Sequence, residues 1–120
     1  MYPYGIGAKS YKREFPAELA RAGEARHFVA WTGAVGGLRG GALSDLAVAA
    51  EAVLTDVFLS DERVGPLEVE SEVSDGALKV IIRHSELKVR RMTDLAGIME
   101  QYLDGYELSP TQAVLVKRLE

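Results

Sequence analysis

The feature of this sequence that most constrains its fold is an alternation of apolar and acidic residues that leads into a two-residue turn. Between positions 67 and 73 the odd positions hold Leu, Val, Ser and Val, and every even position is a glutamate. Successive side chains of a strand point to opposite faces, so this period of two predicts a strand with one buried face. Asp75-Gly76 is typical of a tight hairpin turn into a second strand that carries Leu78, Val80 and Ile82. Ile81 makes that second strand apolar on both sides, as in a central strand covered by helices.

Three other stretches have the periodicity of amphipathic helices. The first runs from Ala17 to about Ala34, and the second begins at or near Ser44 and runs to about Leu59 with a buried stripe at 46, 50, 53, 54 and 57. The third begins at Thr93 or Asp94 and ends before Gly105. Five glycines between positions 33 and 41 predict a loop between the first two helices, because glycine destabilises a helix.

Short alternating stretches predict three more strands, over 10–15, 106–108 and 113–119, with Ser109-Pro110-Thr111 joining the last two. The element order is then β-α-α-β-β-α-β-β. This order predicts the α+β class, with a two-layer α/β sandwich, a mixed but mostly antiparallel sheet, and three helices on one face. We expect residues 1–9 to form a flexible lead-in and 10–120 to form a single domain.

Composition excludes several classes of function. With 14 basic and 18 acidic residues the net charge is −4, whereas a protein that binds nucleic acid normally has a positive excess. The chain has no cysteine, which excludes disulfides and thiolate metal sites. The longest apolar run is too short to span a bilayer, and the first residues do not read as a secretory signal. We therefore expect a cytoplasmic protein that binds neither nucleic acid nor membrane.

Four local sequences are similar to those of a known family. They are Phe15-Pro16-Ala17 at the end of the first strand, and the stretches 24–29 (EARHFV), 46–56 (LAVAAEAVLTD) and 113–119 (AVLVKRL). Together with the element order, they resemble bacterial anti-sigma-factor kinases of the histidine-kinase-like (Bergerat) ATPase family. The resemblance covers roughly residues 11–119. It implies the histidine-kinase-like ATPase fold and, as is common in the family, a homodimer.

The resemblance also implies where a nucleotide pocket would lie. In the family the second helix carries a glutamate as general base and, four residues later, an asparagine that holds Mg²⁺. Here Glu51 matches the glutamate and is the catalytic candidate, while Thr55 replaces the asparagine. His84 replaces the aspartate that binds adenine, and Thr111 stands where the family often has Gly-Thr. Thr55, His84 and Thr111 are therefore degenerate nucleotide-binding positions, and no metal ligand set is expected.

Other family motifs are absent from the sequence. The segment 84–88 (HSELK) replaces Asp-x-Gly-x-Gly, and Glu86 and Lys88 would fill the space of the adenine. The glycine-rich entry to the last helix would fall at 93–96 (TDLA), which has no glycine. The segment that covers the nucleotide would shrink to at most Val89–Met92. We therefore expect no cofactor, with ATP and Mg²⁺ bound only if the pocket survives.

Several candidate features have a structural interpretation as well. Glu51 could be a solvated helix residue, and a surface histidine without a function is the more ordinary interpretation of His84. The cluster Lys88, Arg90 and Arg91 could bind phosphate or an acidic partner, or could be a solvated loop. The glutamate stripe at 68, 70 and 72 indicates an exposed face or edge of the sheet.

The first hypothesis is a degenerate regulatory protein in transcriptional partner switching, which binds a sigma factor or an anti-anti-sigma factor without ordinary ATP turnover. The alternative is an active ATP-dependent serine/threonine kinase that phosphorylates an anti-anti-sigma factor. A small structural domain with a chance resemblance is the third interpretation. The missing asparagine, Asp-x-Gly-x-Gly and glycine-rich turn separate the first two.

Overall fold

A computed structural model describes residues 9–16, 21–58, 66–84 and 89–119. The elements are β1 (Lys9–Phe15), α1 (Ala22–Gly36), α2 (Gly40–Phe58), β2 (Leu67–Ser74), β3 (Ala77–Arg83), α3 (Val89–Tyr102), β4 (Gly105–Ser109) and β5 (Gln112–Arg118). Their order is the predicted one. The predicted lead-in falls outside the described residues except for Lys9, with which β1 begins. No helix in the described ranges is long and apolar enough to cross a membrane.

The five strands form one sheet in the order β1-β2-β3-β5-β4, and every neighbouring pair is antiparallel. The prediction of a mixed sheet was wrong. The two helices between β1 and β2 return the chain to the end where β1 finished, so β2 runs back alongside β1. The single helix α3 makes β4 parallel to β3, but β5 lies between these two strands, so no parallel pair forms.

One face of the sheet is buried beneath the helices. The strand register places the buried hydrophobic residues of β2, β3 and β5 on this face, except Val114, which lies on the opposite face. The residues on the helix side form a single core cluster with the buried hydrophobic residues of α1, α2 and α3. This arrangement confirms the two-layer α/β sandwich. The predicted stripe of α2 is buried in full: Leu46, Ala50, Val53, Leu54 and Val57.

The glutamates of β2 lie on the opposite face. Because β2 pairs with β1 on one side and with β3 on the other, these glutamates are on an interior strand and not at an edge. Arg83 on β3 donates hydrogen bonds to Glu68 at 2.8 Å and to Glu70 at 2.9 Å. Both carboxylates raise the pKa of Arg83 above its usual value. The acidic stripe is therefore compensated in part by a cation of the neighbouring strand.

The predicted glycine loop is largely helical. Helix α1 continues to Gly36 and α2 already begins at Gly40, so only 37–39 connect them, and Ser44 lies inside α2. A Cβ atom at Gly36 would stand 2.9 Å from Cγ2 of Val73 and 3.0 Å from Cδ1 of Leu78. These distances are shorter than an ordinary van der Waals contact. Gly36 thus allows the end of α1 to lie directly on the β2–β3 hairpin.

The end of α1 is formed by a Schellman motif. Gly37 has a φ of 115°, and its N–H donates to the carbonyl of Ala34 at 3.1 Å. The N–H of Leu38 donates to the carbonyl of Gly33 at 3.0 Å, and the Leu38 side chain is buried. This pair of hydrogen bonds satisfies the last carbonyls of the helix. The left-handed conformation at position 37 explains why one of the five glycines does belong to a connection.

A lysine on the inner face of the sheet joins three elements. Lys117 on β5 has a side chain that is only 13% exposed. Its ammonium group donates to the carbonyl of Tyr102 at the end of α3 at 2.8 Å and lies 3.3 Å from the carboxylate of Asp45 on α2. A largely buried ammonium group needs such partners. Lys117 therefore fixes the ends of α2 and α3 to the sheet.

We expect Gly36→Ala to lower the free energy of unfolding by about 1–3 kcal/mol, because the added methyl group overpacks against a stiff β-branched valine. The matched control is Gly97→Ala in α3, where a Cβ would meet no atom within 4 Å. That variant should gain about 0.5–1 kcal/mol, because alanine favours a helix. Urea denaturation followed by circular dichroism measures both. A Gly36→Ala protein as stable as the control would contradict the close packing.

Candidate functional site

The predicted site residues lie on three parts of the fold. Glu51 and Thr55 are on α2, His84 directly follows β3, and Thr111 is in the turn between β4 and β5. The backbone N–H of His84 donates to the carbonyl of Thr111 at 2.9 Å, which extends the β3–β5 pairing by one residue. The structure therefore brings His84 and Thr111 together through their backbones.

Glu51 lies on the solvent-exposed side of α2. Its side chain is 54% exposed, and its carboxylate is 3.6 Å from the guanidinium group of Arg26 on α1. Thr55 is also exposed and lies one turn further along the same face, as the spacing predicts. A carboxylate in this position is accessible to a reacting group, but it forms an ion pair with Arg26. Exposed ion pairs of this kind contribute little to stability.

His84 is buried, so the interpretation as a surface histidine was wrong. The residue is 8% exposed, and neither Nδ1 nor Nε2 has a hydrogen-bond partner among the residues that the structure describes. Burial lowers the pKa of the imidazole, and the nearby carboxylate of Asp56 acts in the opposite direction. Because a buried polar atom without a partner is costly, these two nitrogen atoms make His84 the most unusual polar group of the site.

Asp56 lies at the site but is not among the predicted site residues. It follows Thr55 by one position, and the rotation of about 100° per residue turns its side chain away from the exposed face of α2. The side chain is half-buried and close enough to His84 to affect its pKa. The sequence does contain a signal for this placement. Asp56 lies directly before Val57 and three residues after Val53, so it stands at the border of the buried stripe of α2.

The segment between β3 and α3 is shorter than the resemblance implies. Helix α3 begins at Val89 and not at Thr93 or Asp94, so 93–96 lie inside a helix and not at its entry. The predicted cover over Val89–Met92 forms the first turn of the same helix. Residues such as Arg and Met favour helix, and no glycine or proline interrupts this stretch, which explains the earlier start. Five residues, 84–88, connect β3 to α3.

Some of the remaining sequence predictions around the site concern residues outside the described ranges. Glu86 and Lys88, which were predicted to fill the adenine space, lie outside the described residues. Arg90 and Arg91 of the predicted basic cluster fall in the first turn of α3. Within the ranges that the structure describes, no three carboxylate or imidazole side chains converge on a point where a metal ion could sit.

We expect His84 to make the stability of the fold dependent on pH. The lowered pKa means that the folded state favours the neutral imidazole, so His84 destabilises the fold once the pH falls below the unfolded value of about 6.5. The free energy of unfolding should therefore fall between about pH 7.5 and 5.5, and His84→Leu should reduce this dependence. Denaturant titrations at several pH values measure it.

The second histidine of the chain provides the control. His27 is exposed on α1, so His27→Leu removes an imidazole without changing the core. This variant should keep the pH dependence of the original chain. Asp56→Asn should steepen it, because the carboxylate stabilises a protonated His84. Equal slopes for the original chain and His84→Leu would show that His84 does not titrate as the burial requires.

Comparison with known proteins adds no family to this geometry. No protein-family model matches the chain, and no curated protein matches its sequence. The roles of Glu51, Thr55, His84 and Thr111 therefore stay predictions that rest on the resemblance in the sequence.

Proposed function

We propose that this chain is a degenerate anti-sigma-factor-like regulatory protein of the cytoplasm. It acts by binding a protein partner, either a sigma factor or an anti-anti-sigma factor, and it binds ATP weakly or not at all. We also propose that it forms a homodimer. The proposal is supported by the resemblance in the sequence and by the two-layer sandwich. It is also supported by the changed residue types, and by the burial of His84, at the positions where the family holds its nucleotide.

The observation that carries the proposal is the environment of His84. This residue stands where the family has the aspartate that accepts a hydrogen bond from adenine. Its imidazole is buried, the carboxylate of Asp56 raises its pKa against the larger effect of burial, and its backbone N–H donates to the carbonyl of Thr111. A side chain that is buried in this way is poorly placed to contact a base. The burial of His84 thus leaves little of the imidazole accessible where a nucleotide would otherwise bind.

The phosphate side supports the same proposal. The family needs backbone amides at the entry to its last helix, because free N–H groups there bind phosphate. Here the matching residues 93–96 lie within α3, where backbone amides are already used in helical hydrogen bonds. Thr55 offers one hydroxyl in place of a carboxamide. Neither end of the site therefore favours a nucleotide.

The lost contacts give an expected affinity for Mg-ATP. Loss of the adenine-binding carboxylate costs about 1–3 kcal/mol, because a donor on the base stays unpaired. Loss of the Mg²⁺ ligand and of the helix-entry amides costs about 1.5–3 kcal/mol each. The low end of these ranges totals about 4 kcal/mol, or roughly a thousandfold in affinity. A micromolar site of an active kinase would become a millimolar one.

Isothermal titration calorimetry with Mg-ATP tests the nucleotide part of the proposal. We expect a dissociation constant of about 1 mM or weaker, and no rescue by Thr55→Asn alone, because the adenine end is unchanged. Val48→Asn, on the same exposed side of α2, controls for the added carboxamide. A dissociation constant below about 100 μM would favour the alternative, an active serine/threonine kinase.

Glu51 separates the two functions directly. In a binding regulator Glu51→Ala should change the affinity for a sigma or anti-anti-sigma factor by less than about 0.5 kcal/mol, the usual contribution of an exposed ion pair. In a kinase the same change would abolish phosphoryl transfer to the anti-anti-sigma factor. Surface plasmon resonance with candidate factors, together with a radiolabelled ATP assay, measures both. Arg26→Ala is the control that breaks the same ion pair from the other side.

A further inference from the structure

The free edge of the sheet at β1 is bordered by exposed aromatic and basic side chains. β1 is the first strand in the sheet, and within the described ranges only β2 pairs with it. An edge strand presents a row of backbone N–H and C=O groups that can pair with another chain. β1 is seven residues long, which is enough for a full set of such hydrogen bonds.

Helix α1 lies along β1 in the opposite direction and adds an apolar border to this edge. Phe28 packs on Phe15 with ring centroids 5.8 Å apart, and Trp31, about one turn further, packs on Tyr11 at 5.2 Å. Trp31 remains 47% exposed, and Val35, four residues later on the same side of the helix, is 40% exposed. We call Tyr11, Trp31 and Val35 the β1 shelf.

Beside the β1 shelf, two arginines share one carboxylate. Arg13 lies on the same face of β1 as Tyr11, two residues away. Its guanidinium group is 3.7 Å from the carboxylate of Glu24, to which Arg21 also donates a hydrogen bond at 2.9 Å. The three side chains are all between 43% and 55% exposed. This cluster has a net positive charge and is accessible to an acidic group.

We propose that the edge of β1 binds an extended, acidic segment of a partner protein as an additional strand. Backbone hydrogen bonds to β1 give the segment its orientation, as in other cases of strand addition. An aromatic or aliphatic side chain of the segment lies on the β1 shelf. An aspartate or glutamate two residues away, and therefore on the same face, reaches Arg13 and Arg21. The inference rests on the proposed binding function and names its surface and the chemistry of the partner segment.

The opposite edge of the sheet lacks these features. β4 is five residues long, and the hydroxyl of Tyr106 is already bound to the carboxylate of Glu100 at 2.8 Å. The large apolar side chains that are exposed in the described part of the chain lie on α1 and α2: Trp31, Val35 and Val48. Of the two edges of the sheet in the described ranges, the β1 edge is therefore the one that combines an apolar border with a basic cluster.

A display library of random twelve-residue peptides, selected on the immobilised full chain, tests the proposal. We expect selected peptides to carry Asp or Glu two positions from an aromatic or aliphatic residue. Trp31 is the single tryptophan of the chain, so its emission should shift to shorter wavelength when a synthetic selected peptide covers it. A peptide with N-methyl groups on alternate residues should lose binding, because strand addition needs those amides.

Variants of the chain identify the surface. With a dye-labelled selected peptide, Trp31→Ala and Arg13→Glu should each weaken binding by about tenfold or more. Replacing the acidic residue of the peptide by lysine should restore binding to Arg13→Glu and should weaken binding to the original chain. Val48→Ala, which removes an equally exposed apolar side chain on α2, should bind like the original chain.

Three outcomes would overturn the proposal. They are a selection without the acidic and apolar spacing, binding that survives both Trp31→Ala and N-methylation, and a dimer in sedimentation experiments that Trp31→Ala converts to a monomer, which would show that a second copy covers Trp31. Failure here is distinguishable from failure of the proposed function. If Mg-ATP binds tightly and the expected peptides are still selected, the proposed regulator without ATP binding is wrong, but the proposed binding site at β1 stands.

Discussion

The close approach of the helix layer to the sheet is the constraint on which the rest of this structure depends. It is possible because small residues stand at the contacts: Ala25 of α1 and Ala49 and Ala50 of α2 are fully buried, and Gly36 touches the β2–β3 hairpin. Larger side chains at these points would separate the layers and leave gaps that a core does not tolerate. The Schellman motif at Gly37 then turns the chain within three residues, so that α2 can pack beside α1 on the same face.

The same packing explains the state of the candidate site. Because α2 lies on this face of the sheet, the half-buried carboxylate of Asp56 raises the pKa of His84 at the end of β3, against the larger effect of burial. The outward-facing residues Glu51 and Thr55 remain in solvent. One helix therefore carries the exposed Glu51 and Thr55 on its outer side, whereas His84 directly after β3 is buried.

The position of α1 has a separate consequence at the edge of the sheet. α1 contacts β1 through aromatic pairs, and the second pair leaves Trp31 half in solvent. An exposed tryptophan contributes more as part of an interface than as a single surface residue, since large aromatic side chains dominate binding energies. The arginines that share Glu24 add a charge preference to the same corner. The aromatic contacts between α1 and β1 thus also form the surface that we assign to a partner.

The sequence by itself determined the class of the fold, the order of its elements, the Asp75-Gly76 hairpin and the buried stripe of α2, because these follow from periodicity and local turn chemistry. Only the tertiary structure decided that most of the glycines between positions 33 and 41 lie within helices and that Gly36 serves a close contact, because a glycine needed for close approach and one needed for a loop look alike in sequence. It also decided that the sheet is fully antiparallel, since this depends on the insertion of β5 beside β3. The burial of His84 and the effect of the Asp56 carboxylate on its pKa involve residues 28 positions apart in the chain, and no local pattern records an interaction between separate elements.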